Sequence, residues 1–79
     1  MPTTLRSKRH RVLIQVLVDA RKAVGFTQAQ LATRMHVSQS LIAQVEDGRR
    51  RVDVVEFFDF AKAFGITPHE LFDRVAAAR

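Results

Sequence analysis

The stretch Thr27–Gly48, TQAQLATRMHVSQSLIAQVEDG, decides how this 79-residue chain folds. Thr27 is followed three positions later by Gln30. That is the spacing of a capping box, in which each side chain satisfies the other residue's free backbone N–H. Leu31, Ala32 and Met35 follow at helical spacing. A second start comes almost at once: Ser38 is a preferred N-cap, and Ile42 and Val45 make an inward stripe behind it. The other face carries Gln39, Ser40 and Gln44, uncharged hydrogen-bonding side chains. Ala32 is small enough to let the second helix cross the first closely. The pattern is two short helices joined by a turn of about three residues. The polar face of the second is built from residue types that read base edges.

Outward from this pair, residues 1–7 show no periodicity and are predicted to be a flexible basic arm. A first helix is predicted from about Lys8 to Val24, with Leu13, Leu17, Ala20 and Val24 as its buried stripe. Gly25 closes it, and Arg21 and Lys22 in its last turn suit the helix dipole. Beyond Gly48, Arg49-Arg50-Arg51 forms a loop. A fourth helix is opened by Asp53 and Glu56 as a capping box and carries Val54, Phe57, Phe60 and Phe64 as far as Gly65. The fifth has Thr67 as N-cap, Pro68 at N1, Glu70 at N3, then Leu71. There is no strand-length alternation and no internal repeat. The expected architecture is an all-α, five-helix bundle, with residues 8–79 as one domain.

Composition excludes several classes. The length suits a single small domain near the lower limit for a core without staples, and six Phe supply much of that core. The absence of Cys rules out a disulfide framework and a thiolate metal site, and fits a reducing cytosol. No apolar run reaches the roughly 18 residues of a membrane span. Leu5–Arg11 is basic, and Gln15 and Asp19 interrupt the apolar stretch after it, so a signal peptide is rejected. The three His lie far apart without ligand spacing. No Gly-rich phosphate loop exists and no carboxylate pair suggests a cleft, so no catalytic residue, metal or cofactor is expected. Charge is unevenly divided: residues 1–51 hold ten Lys/Arg against three acids, and residues 52–79 hold three against five. A basic half opposite an acidic one is the footprint of a nucleic-acid face.

Arg21, Gly25-Phe26-Thr27-Gln28, Leu31-Ala32, Val37-Ser38, Ile42, Val45-Glu46 and Gly48-Arg49 form one set of spaced residues. Ala61-Lys62-Ala63-Phe64-Gly65-Ile66 and Pro68-His69-Glu70-Leu71 continue it. From Leu17 to Leu71 the chain resembles the Cro/phage-repressor, or Xre-type, family of helix-turn-helix DNA-binding domains. The resemblance implies a lambda-repressor-like bundle with the helix-turn-helix at helices 2 and 3, and a recognition helix docked in the major groove. It implies an Arg21–Glu46 ion pair tying the first helix to the recognition helix. A cytoplasmic protein of a bacterium or phage is implied too. One departure stands out: the family's turn usually has Gly where this chain has His36. The backbone there tends towards positive φ, which His tolerates moderately, so a small strain is expected.

Gln39 and Gln44 are the first candidates for base contacts, because a Gln amide can bond bidentately to adenine; the alternative is an ordinary solvated face. Ser40 suits a base or a phosphate. Ala43 and Leu41 suit a thymine methyl, although Leu41 equally suits packing on the protein. Gln28 begins the second helix, where side chain and backbone N–H can together hold a phosphate oxygen; simple capping is the alternative. Arg49, Arg50 and Arg51 are phosphate candidates too, though a charge run is often only a solvated loop. Arg34 is a weaker one. Arg6, Lys8, Arg9, His10 and Arg11 form an arm that embraces the duplex or a tail that aids solubility. Basic residues opening a helix oppose its dipole unless an anion neutralises them.

On the acidic half, Val55 and Phe58 lie off the main stripe of the fourth helix, and Phe72 and Val75 off that of the fifth. These four are expected to form a homodimer patch; the alternative folds both Phe back into the core. A dimer would place two recognition helices about one DNA turn, roughly 34 Å, apart on a pseudo-palindrome of double-stranded DNA. The function expected is a sequence-specific DNA-binding transcriptional regulator, a small dimeric repressor or controller. The rival is an antitoxin-type module that neutralises a toxin and autoregulates its operon. Architectural binding is disfavoured, since such proteins rely on Lys, Arg and wedges rather than Gln.

Overall fold

Each helix begins where a short polar side chain can take over an orphaned backbone N–H. The computed structural model describes residues 7–78. Among them are five helices and no strand: α1 (Lys8–Ala23), α2 (Gln28–Met35), α3 (Gln39–Glu46), α4 (Val54–Phe64) and α5 (Pro68–Ala77). Ser7, Thr27, Ser38, Asp53 and Thr67 each accept the N–H three residues on. Thr27–Gln30 and Asp53–Glu56 are reciprocal capping boxes. The expected arm lies outside the described residues except for Ser7. That residue belongs instead to the start of α1, where its hydroxyl takes the His10 N–H at 3.1 Å.

The helix ends also follow one rule. In α2, His36 N–H donates to the Thr33 carbonyl (3.2 Å) and Val37 N–H to the Ala32 carbonyl (3.0 Å), the paired bonds of a Schellman closure. The ends of α1, α3 and α4 carry the same pair. In those three the pivotal residue is glycine; in α2 it is His36, at φ 58°, ψ 40°. Among the described residues it is the one non-glycine with positive φ.

Leu17, Leu31, Ile42, Val45, Phe60 and Leu71 are the large side chains that lose essentially all contact with water. Burying each contributes about 1.5–3 kcal/mol, so they set how the helices meet. α3 packs on α2 and α1, and α4 packs on α2 and α5. Phe60 and Phe64 stack at a tilt, 6.0 Å between centroids.

Three stripe assignments need correcting. Val24 is half exposed and Val54 largely so. Val24 follows the last helical residue of α1, and Val54 opens α4, so both project beyond the packed middle of their helices. Val75, expected in an exposed patch, is buried. It stands one turn after Leu71 on the core side of α5.

Candidate nucleic-acid interface

α3 is eight residues long, about 12 Å at 1.5 Å per residue. Ser38 caps it by accepting the Leu41 N–H at 3.1 Å. Ile42 and Val45 pin its inner side to the core, and Leu41 packs at the core's edge. Gln39 and Ser40 are left exposed, while Ala43 and Gln44 are half-buried. Gln44 Nε2 donates to Ser40 Oγ at 3.3 Å. The four base-contact candidates therefore sit together on one helix whose opposite side is anchored in the core.

The far end of α3 is fixed by Glu46. Its carboxylate accepts Arg21 Nε at 2.7 Å, Arg21 Nη2 at 3.1 Å and Gln28 Nε2 at 2.9 Å. Arg21 also donates Nη1 to the Phe26 carbonyl at 2.8 Å. The side chains of Arg21 and Glu46 are 12% and 8% exposed. Such bidentate, charge-assisted bonds are the strong ones, and these tie the end of α1 and the start of α2 to the end of α3. The bond from Gln28 was not legible in the sequence. Gln28 retains its second amide hydrogen, its Oε1 and its backbone N–H at the head of α2.

Gly48 has φ 86°, and a Cβ there would lie 3.4 Å from Ile14 Cδ1, so the loop after α3 rests on α1. Arg49 Nε bonds both oxygens of Asp47 at 3.0 and 2.9 Å, and this holds the Asp47 carboxyl below its usual range. Arg50 grips Glu56 through Nη1 (3.0 Å) and Nη2 (2.8 Å). The Arg50 hydrogen bond, outweighing the opposing effect of burial, pulls the Glu56 carboxyl down. Glu56 Oε1 simultaneously takes the Asp53 N–H at 3.1 Å, so the loop and the start of α4 are one unit. Arg51 is exposed and its charge reaches His10. Arg34, the weaker candidate, lies over the Phe26 ring at 5.2 Å. Arg9 of the N-terminal cluster donates to the Val75 carbonyl at 2.9 Å, a cation at the end of α5, where the dipole favours it.

On the opposite half, Val55 (70%), Phe58 (54%) and Phe72 (62%) are exposed. Phe58 and Phe72 line an open apolar groove of about 430 Å³, together with Leu13, Phe57, Pro68 and Val75. Val75 thus helps to line the groove rather than standing out from the surface. Among the described residues no group of three His, Cys, Asp or Glu could hold a metal ion. No described helix is long and apolar enough to cross a membrane.

Residues 17–71 match the helix-turn-helix family model HTH_3. An XRE-family like protein from Pseudomonas syringae pv. tomato is 39% identical, over 87% of this chain and 84% of that one, with a TM-score of 0.80. The restriction-modification controller protein C.AhdI from Aeromonas hydrophila is 35% identical, over 80% of this chain and 96% of that one, with a TM-score of 0.74. The clp gene regulator ClgR from C. glutamicum shares the fold at 22% identity, over 91% of this chain and 92% of that one, with a TM-score of 0.79. No curated protein sequence matches the chain. The matched span holds the capped helix pair, the bracket on Glu46 and the polar face of α3. The chain therefore belongs to the Xre-type helix-turn-helix family and is a DNA-binding transcriptional regulator, not an enzyme.

Proposed function

We propose that this protein is a sequence-specific regulator, a repressor or controller that acts as a homodimer on a pseudo-palindromic DNA site in the cytoplasm. One observation carries the reading. Gln39, Ser40 and Gln44 share a helix fixed at one end by Ser38 and at the other by the bracket on Glu46. Preorganised polar groups on a rigid element are what base readout requires. Gln39, Ser40, Ala43 and Gln44 contact bases. Gln28 holds a phosphate through the amide hydrogen and backbone N–H that Glu46 does not use, and Arg49, Arg50 and Arg51 hold others. The Asp47 pairing of Arg49 is open to water and the Glu56 pairing of Arg50 is partly so, so a phosphate can compete for Arg49 most readily and for Arg50 from its exposed side. Val55, Phe58 and Phe72, with the groove between α4 and α5, bury against a second copy. A partner toxin has no observation in its favour. Similarity to a restriction-modification controller protein supports the controller reading.

Selection of bound duplexes from a random pool tests this directly. The expected product is an inverted repeat with half-sites about one helical turn apart. Recovery of no common sequence refutes base readout, and a lone half-site refutes the dimer. Gln44→Ala should relax preference at one base position and leave the salt dependence of binding unchanged. Equal losses on selected and random DNA would remove Gln44 from the reading set.

A further inference from the structure

α3 ends on two acids, Glu46 and its C-cap Asp47, and its last turn contains no base. Negative charge at a helix C-terminus opposes the dipole, so each carboxylate needs another reason to be there. Glu46 has one, since it is buried and takes bonds from Arg21 and Gln28. Asp47 turns away from the core onto the loop that follows. Its carboxylate accepts the Arg49 backbone N–H at 3.2 Å, Arg49 Nε at 3.0 and 2.9 Å and Arg49 Nη2 at 2.8 Å. The side chains of Asp47 and Arg49 are 47% and 68% exposed, and an ion pair so placed adds little to stability. The neighbouring pair is built differently. Glu56 is only 21% exposed and also takes the Asp53 N–H at the start of α4, while Arg50 Nη1 donates to the Arg51 carbonyl at 3.1 Å. Separating Arg50 from Glu56 would loosen a helix start, whereas the Asp47–Arg49 bonds stay within the loop.

We propose that Asp47 is a resident counter-ion of Arg49, displaced by a DNA phosphate on binding, and that it sets how tightly the protein holds any duplex. The inference rests on the phosphate reading of Arg49. The exchange is between non-covalent partners: the guanidinium fork leaves the carboxylate for phosphate oxygens, a geometry that suits it equally. The carboxylate returns to water facing the DNA backbone. Two costs follow, the broken pair and the repulsion between Asp47 and the phosphates. Arg50 meets the backbone from its exposed side and keeps Glu56, so the exchange belongs to Arg49. Both costs fall on every sequence alike, because phosphate contacts are independent of sequence. At low protein concentration, only a duplex that adds base contacts at α3 is then held.

A double-mutant cycle tests the exchange, with Asp47→Asn, Arg49→Ala and the two combined. Fluorescence anisotropy with a mixed-sequence duplex of about 30 base pairs, between ~50 and ~200 mM salt, gives the affinity and its salt slope for each protein. Asp47→Asn keeps an acceptor for the Arg49 N–H and should bind about two- to five-fold tighter, the worth of an exposed pair. Its slope of log K against log salt should steepen by up to about 0.9. The same substitution in the Arg49→Ala background should gain less, because the repulsion is relieved there but no pair is left to break. No tightening in Asp47→Asn overturns the proposal. So does an equal gain in both backgrounds, which would make Asp47 a simple repelling charge. Arg49→Ala separates the two readings: unchanged affinity and slope defeat the phosphate reading of Arg49. Weaker binding by Arg49→Ala beside an Asp47→Asn that binds like the unaltered protein defeats the counter-ion role alone. Thermal unfolding of each variant checks the fold, and Asp47→Ser, which also keeps an acceptor, takes the place of Asp47→Asn in the cycle if the latter lowers the midpoint.

Discussion

Glu46 joins three helices, and the cost of removing it can be worked from its contacts. The carboxylate accepts two bonds from Arg21 and one from Gln28 while only 8% exposed. Glu46→Ala removes all three and leaves the Arg21 guanidinium, 12% exposed, bonded to the Phe26 carbonyl. Breaking a buried pair from one side costs about 3–5 kcal/mol, because the other charge is stranded. The surviving bond and the residual water contact of Arg21 put the expected loss near the lower end, about 3 kcal/mol. A domain of 79 residues has a total stability of about 4–12 kcal/mol, so the loss is a large part of the whole. The thermal midpoint should fall by about 12–24 °C. With a urea m-value of about 1 kcal/mol/M, the chemical midpoint should fall by about 3 M. Arg21→Met combined with Glu46→Leu removes both charges and strands neither, so the double variant should recover most of the loss. Urea unfolding followed by helical circular dichroism, run as a double-mutant cycle, measures each arm. A single-variant loss below about 1 kcal/mol refutes the reasoning. So does a double variant whose loss equals the sum of the two singles, because the pair would then not be a coupled, buried unit.

Three further expectations follow from particular residues. Phe72 is 62% exposed, so Phe72→Glu should leave helix content intact and yield a monomer by sedimentation equilibrium; an unchanged mass sinks the dimer face. His36 holds φ 58°, a conformation that costs an L-residue about 1–2 kcal/mol, so His36→Gly should stabilise the fold by about 1 kcal/mol net of chain entropy. A thermal midpoint that does not rise would show no strain there. Stability should fall steadily with acidification. The unfolded chain protonates at His10 before the folded one does, so that contribution is full above the ordinary histidine range and is lost as pH drops through it. Asp47 and Glu56 have depressed folded values, so their contributions hold above the usual carboxylate range and vanish as pH falls through those values. A rise in stability between about pH 7 and pH 5 contradicts these assignments.

The helix boundaries were legible because their causes are local. Thr27 with Gln30 and Asp53 with Glu56 sit within one turn of each other, so spacing alone predicts the bonds seen. The positive φ at His36 was likewise foreseeable, from a turn that resembles one normally built on Gly. Stripe membership was less secure at helix ends. Val24, Val54 and Val75 keep a plausible period, but periodicity does not say where a neighbouring helix stops covering it.

The sequence by itself determined the number and order of the helices, the polar face of α3 and the division of charge, since caps, periods and composition act within a few residues. Tertiary structure alone decided what the polar groups do with one another. Gln28 meets Glu46 across 18 positions, and Arg9 meets Val75 across 66. It also decided that Arg49 and Arg50 are already matched by carboxylates and that His10 Nε2 is buried without a partner among the described residues. The physical reason is the same for each. A hydrogen bond or ion pair requires its atoms within about 3 Å, and for residues far apart in the chain only the packing of the whole bundle sets that distance.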